Sequence, residues 1–177
     1  MALLLTAVLC LSMIPSAFAA TKEMILEEYS YAGAREVIAT EEWEGKTVSL
    51  KDMNLKFWVP GELVRMKLTE ELVQSGVLAY YKGETLNIVV KLSQYEITSL
   101  DDYEQMVTEQ KCTNIVRQEI NGLDTLCYTS KQSGGRYLRI AVSMDDDGCF
   151  LEFVYDGSKK LENMSNVSIA TIRPIKK

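Results

Sequence analysis

The sequence predicts an α+β domain in which an antiparallel sheet of about six to seven strands, closing in a four-stranded meander, is flanked by helices. Three observations carry that prediction. Short runs rich in β-branched and aromatic residues alternate with turn sequences from Thr113 to Tyr155, and a second pair of such runs flanks Lys82-Gly83-Glu84. Two segments with helix-start signals and apolar stripes bracket the meander. The chain's 177 residues, 47% hydrophobic and 25% charged, suit one domain with its own core.

From Ala2 to Ile14 almost every residue is apolar. Pro15 then breaks the run, and Ala17-Phe18-Ala19 supplies the small-x-small pattern of a signal-peptidase site. Residues 1–19 are therefore read as a signal peptide cleaved after Ala19. The apolar run falls short of the roughly 20 residues that span a bilayer, which disfavours a retained anchor. Lipidation at Cys10 is disfavoured because Leu9 precedes it and the apolar run continues past it. Residues 20–46 form an acidic leader: its seven acids against three bases give a net of -4, whereas residues 47–177 hold 18 acids and 16 bases. The leader reads as a spacer or as a helix docked on the body. Partial order is favoured, since Tyr29, Tyr31 and Trp43 are unusual in a linker. Residues 47–177 are read as a single α+β domain.

Within that domain, Lys56 to Val59 stops at Pro60-Gly61 and reads as an edge strand. A short helical turn is placed at Thr69 to Gln74. Val77 to Tyr81 and Thr85 to Leu92 form a hairpin. Ser99 and Asp102 have capping-box spacing, and Leu100, Tyr103, Met106 and Val107 then share one helix face. The meander runs through Thr113 to Ile120, Leu123 to Ser130, Arg136 to Met144 and Cys149 to Tyr155, turning at Asn121-Gly122, at Gly134-Gly135 and at the Asp145-Asp146-Asp147-Gly148 tip. In its third strand Leu138, Ile140, Val142 and Met144 face one way and Tyr137, Arg139, Ala141 and Ser143 the other. A last helix begins near Ser158, carries Leu161, Met164 and Val167 as its stripe and ends before Pro174.

The Phe57-Trp58-Val59-Pro60 strand end, the hairpin after it, the Ser99-Leu100-Asp101-Asp102 helix start, the Asn121-Gly122 hairpin, the long meander and the closing Ile169-Ala170-Thr171-Ile172-Arg173-Pro174 resemble the Mog1p/PsbP-like family over residues 47–175. Its members include a nuclear transport factor that binds a small GTPase, a subunit of the photosynthetic oxygen-evolving complex, and exported bacterial domains of unknown role. The resemblance implies the architecture and a non-catalytic binding role. It supplies no catalytic motif, and those partners do not suit an exported chain.

The chemistry-bearing residues point the same way. The chain has no histidine, so the usual general base and the commonest metal ligand are missing. A net charge of -6 argues against nucleic acid as a partner. There is no Gly-x-Ser-x-Gly elbow, Ser-x-x-Lys motif, Walker loop or Cys-x-x-Cys pair. Cleavage would leave Cys112, Cys127 and Cys149. The Asn121-Gly122 register puts Val116 opposite Cys127 and leaves Cys112 about 13 Å along, while Cys127 and Cys149 lie two strands apart. Both spacings exceed the ~7 Å a disulfide allows, so none is expected within the chain. Cys149 shares a face with Leu151, Phe153 and Tyr155 and reads as a small buried hydrophobe. The Asp145 to Gly148 tip is a solvated turn in preference to a calcium loop, because its acids lack EF-hand spacing. Two glycosylation sequons, at Asn163 and Asn166, fall in a helix whose Met164 and Val167 face the core, so they are read as accidental. Lys131, Arg136 and Arg139 form a basic cluster at one hairpin end, read as a solvated face in preference to an anion site. Tyr80, Tyr81, Tyr95, Tyr128 and Tyr137 suit sheet packing or a binding surface equally.

The function read from the sequence is an exported, secreted or periplasmic, non-catalytic binding or accessory domain of unknown ligand. It has no assigned catalytic or metal residue and no cofactor. Its partner is an unknown protein or envelope component, it has no transmembrane segment after cleavage, and it is a monomer. The alternative is a small carboxylate-dependent hydrolase acting on cell-envelope or extracellular substrates, which requires a cleft holding two acids in opposed environments.

Overall fold

The computed structural model describes residues 30–93, 97–132, 135–144 and 148–175. The signal-peptide reading, Tyr95 and the Asp145-Asp146-Asp147 tip fall outside these residues. The first described element is helix α1 (Tyr31–Thr40), followed by β1 (Gly45–Leu50), β2 (Leu55–Pro60), β3 (Val64–Arg65) and a short helix α2 (Glu70–Gln74). A hairpin of β4 (Val77–Lys82) and β5 (Leu86–Leu92) leads to α3 (Leu100–Glu109). The meander of β6 (Thr113–Ile120), β7 (Leu123–Gln132), β8 (Gly135–Ser143) and β9 (Cys149–Tyr155) precedes α4 (Lys159–Ala170) and a closing β10 (Arg173–Pro174). The fold is α+β, as the sequence predicts.

Two antiparallel sheets carry the strands. The larger has the order β3-β4-β5-β9-β8-β7-β6, so the meander is continuous and its last strand pairs with β5. At the tip of the first meander hairpin Ile120 lies opposite Leu123, and Asn121 and Gly122 take the two positive φ angles (51° and 76°) of the Asn-Gly turn. The Asn121 amide also donates to the Ala170 carbonyl at 3.0 Å, tying that turn to the last residue of α4. The smaller sheet has the order β1-β2-β10. This corrects the edge-strand reading of Lys56 to Val59, because β2 is a central strand. Arg173 and Pro174 pair with Lys56 and Leu55 on one side, β1 pairs on the other, and the Trp58 amide donates to the Thr171 hydroxyl at 2.8 Å.

The main core lies between α4, the small sheet and one face of the large sheet. It joins Phe57 and Val59 of β2, Ile88 and Val90 of β5, Leu151 and Phe153 of β9, and Val167 and Ile169 of α4. The stripe of α4 widens beyond the expected Leu161, Met164 and Val167, since Ser165, Asn166, Ser168, Ile169 and Ala170 are buried as well. α1 covers part of this helix through Ala34, which is fully buried, and Trp43 stacks on Trp58 at 6.3 Å between ring centroids. Residues 31–46 fall within the span read as a leader; they pack on the body, so the docked-helix alternative describes them. On the opposite face of the large sheet a second, smaller core forms under α3 from Leu100, Tyr103 and Val107 against Leu126, Ala141 and Phe150. The Ser99 and Asp102 capping box is present and fixes the start of that helix.

Truncating Ile169 of α4, fully buried in the main core, to alanine is expected to lower the unfolding free energy by about 2–5 kcal/mol through the cavity it leaves. The same test on the exposed Val116 should change it by about 0.5 kcal/mol or less. Urea denaturation of both variants checks the assignment of the core.

Candidate functional site

The strand run Cys149 to Tyr155 has one charged residue, Glu152, and the pleat turns it away from the main core toward α3. Register then selects its neighbours. Val89 and Ala141 lie directly opposite on β5 and β9's other partner β8, and both are small enough to leave room beside the carboxylate. Lys91 and Arg139 stand on the same face one pleat away, on either side of β9. Tyr128 follows on β7, and Tyr103 descends from α3.

The carboxylate is buried and fully engaged. Its Oε2 takes Arg139 Nη1 at 3.1 Å and Lys91 Nζ at 3.5 Å, and its Oε1 accepts from the Tyr103 hydroxyl at 3.0 Å and from the Tyr128 hydroxyl. The two hydroxyl oxygens lie 3.3 Å apart. Arg139 Nε donates to Ser130 Oγ at 2.8 Å, and the Lys91 ammonium sits 5.4 Å from the Tyr103 ring centroid, within cation–π range. Burial alone would raise the Glu152 carboxyl, but the charges of Lys91 and Arg139 and the two tyrosine hydroxyls outweigh it and hold the pKa at about 2. Burial and the adjacent carboxylate push both tyrosine hydroxyls well above their ordinary range, so they remain donors at all working pH values.

This cluster forms one wall of a cleft of about 480 Å³ between α3 and the sheet. Lys111, just after α3, and Lys131, near the end of β7, complete a lining with four cationic side chains and a single acid. Lys111 and Lys131 are exposed, and neither has a carboxylate within salt-bridge distance among the described residues. On its far side α3 is held to β6 by Arg117, which reaches Asp101 at 2.6 Å and Glu104 at 2.7 Å.

The residues singled out from sequence divide clearly. Lys131, Arg139 and Tyr128 meet in the cleft; Arg136 pairs with Lys131 across the hairpin but stays exposed outside the lining. Tyr80 bonds Asn87, Tyr81 is in the main core and Tyr137 is half-buried. Cys112, Cys127 and Cys149 form no disulfide among the described residues, and Cys112 lines the cleft. Burial raises the Cys112 thiol and, with Glu162 nearby, pushes Cys127 up to about 12, so neither is an activated thiolate. Asn166 is buried in α4, out of reach of a glycosylating enzyme in the folded chain. Glu152 itself escaped sequence reasoning, although a lone acid in an otherwise apolar strand was the available signal.

Among solved structures the chain is similar to the solution structure of cyanobacterial PsbP (CyanoP) from Synechocystis sp. PCC 6803, at 12% identity and a TM-score of 0.48, covering 73% of this chain and 92% of that one. No family model and no curated protein matches the chain. No family and no function is carried across that similarity.

Glu152→Gln should lower the unfolding free energy at pH 7 by about 3 kcal/mol or more, because it leaves Arg139 and Lys91 without their buried counter-charge. The folded carboxyl is held at about 2 against an ordinary 4.5. The stability that ionised Glu152 contributes is therefore complete above the ordinary carboxylate range and is lost as pH falls toward 2. Denaturation curves of the wild type and the variant should converge across that window.

Proposed function

We propose that the chain is an exported, non-catalytic binding domain, with residues 1–19 as its export signal, and that the cleft under α3 receives an anionic group of a protein or envelope partner. The observation that carries this reading is the charge balance of the lining: four cations surround one acid in a chain whose overall charge is -6. Glu152 already engages Arg139 and Lys91 and fixes their positions, so their ordering precedes any binding event. Lys111 and Lys131 at the mouth supply the attraction. Positive charge gathered on a concave surface of an acidic protein draws anions to it.

The chemistry of the cleft favours binding over hydrolysis. A carboxylate-dependent hydrolase needs one acid kept protonated near neutral pH and a second kept ionised. Among the described residues lining the cleft the one acid is Glu152, and its pKa of about 2 leaves it no proton to donate. The raised Cys112 thiol is a poor nucleophile.

Titrating the isotope-labelled chain with an oligo-glutamate peptide should give saturable amide shifts around Lys111, Lys131 and Arg139, weakening as salt is added. The double substitution K111E/K131E, at two exposed positions, should abolish the shifts and leave the melting temperature within a few degrees. Equal shifts in the wild type and the variant, or none at low salt, would overturn the reading.

A further inference from the structure

A second cavity lies on the other side of the molecule, between α1 and the outer face of the small sheet, with a volume of about 280 Å³. Thr47 and Trp58 are directly paired across β1 and β2, and Arg173 stands beside them on the same face of β10. From above, α1 presents Tyr31 and Arg35, four residues and one turn apart. Two guanidinium groups therefore line the cavity, and none of its lining residues is an acid. Neither Arg35 nor Arg173 has a carboxylate within salt-bridge distance among the described residues. Instead both converge on Tyr31. The Arg173 guanidinium lies 4.3 Å from the Tyr31 ring centroid, and the hydrogen bond from Arg35, opposed by burial and aided by Arg173, draws the phenol below its ordinary pKa.

Space for the cavity wall comes from a glycine. A Cβ at Gly45 would fall 2.3 Å from Trp58 Nε1 and 2.4 Å from Cε2, so the indole lies against backbone that only glycine leaves bare. The wall thus combines an indole, a phenol ring, a threonine hydroxyl and two planar five-donor cations that lack an acidic partner among the described residues.

We propose that this cavity is a binding site for a small organic oxyanion, a compound bearing a carboxylate or phosphate group on a compact apolar body. The guanidiniums of Arg35 and Arg173 hold the oxyanion, a geometry suited to two-pronged hydrogen bonding. Trp58, Tyr31 and Ile38 border its body. Because one arginine belongs to α1 and the other to β10, an occupied site bridges the N-terminal helix to the last strand. The proposal stands apart from the α3 cleft, with which it shares no residue.

Both tryptophans of the chain, Trp43 and Trp58, lie at or beside this site, so intrinsic fluorescence reports on it directly. Titration of the full chain with phenyl phosphate at constant ionic strength is expected to change that fluorescence saturably, while benzylamine, the same ring bearing a cation, should leave it unchanged. Arg35→Gln, at an exposed position, and Arg173→Gln should each weaken phenyl phosphate about tenfold or more. Circular dichroism melts identify any variant that fails through unfolding, and Arg35→Gln carries the test if Arg173→Gln does. No saturable change, an equal response to benzylamine, or undiminished affinity in a folded Arg35→Gln would overturn the proposal.

Discussion

Burying an ionised carboxylate costs several kcal/mol unless opposite charges and hydroxyl donors replace its lost water, and Glu152 draws those replacements from four separate elements. Lys91 comes from β5, Tyr128 from β7, Arg139 from β8 and Tyr103 from α3. None of these partners satisfies the charge alone. The two cations occupy one oxygen and the two hydroxyls the other, so removing any one of them exposes a buried charge to partial compensation. The carboxylate therefore fixes where α3 sits over the sheet and where Lys91 and Arg139 point. The cleft is a consequence of that arrangement.

The same sheet carries two cores of unequal size. The larger one, between α4 and the small sheet, supplies most of the buried apolar surface and gives the meander a rigid back. The smaller one packs Leu126, Ala141 and Phe150 against α3, and shares Tyr103 and Tyr128 with the cleft lining. Because the main core needs nothing from the α3 face, that face can hold a polar network at a tolerable cost to stability. A rigid scaffold behind a charged cleft is the arrangement expected of a domain that binds without chemistry, in keeping with the proposed role.

Much of this fold was legible in the residues. The Asn121-Gly122 turn set the β6–β7 register, the Ser99 and Asp102 pair set the start of α3, and the period-two pattern of β8 separated Ile140 and Val142 from Arg139 and Ala141. These signals are local, and each is written in a few consecutive positions. The small sheet was not legible. β2 acquires its central place from Gly45 to Leu50 on one side and from Arg173 and Pro174, more than 110 residues away in sequence, on the other, and no local pattern announces such pairings. The charge count likewise hid the docking of α1, since Ala34 and Trp43 act through packing while the surrounding glutamates face water. At the cleft, Lys131 and Arg139 were visible as a basic cluster, yet the placement of Arg139 rests on Glu152, which contacts it only after β8 and β9 have paired.

The arrangement of the cleft depends on Glu152 remaining ionised inside the α3 layer, and its carboxyl titration measures that directly. In a chain carrying carboxyl-labelled glutamate, with the Glu152 resonance identified by its absence from the Gln variant, the signal should hold its ionised chemical shift as the other glutamates protonate and titrate near 2. A Glu152 resonance that protonates at or above the ordinary value of 4.5 would contradict the account, because a neutral carboxylic acid would neither position Arg139 and Lys91 nor require them.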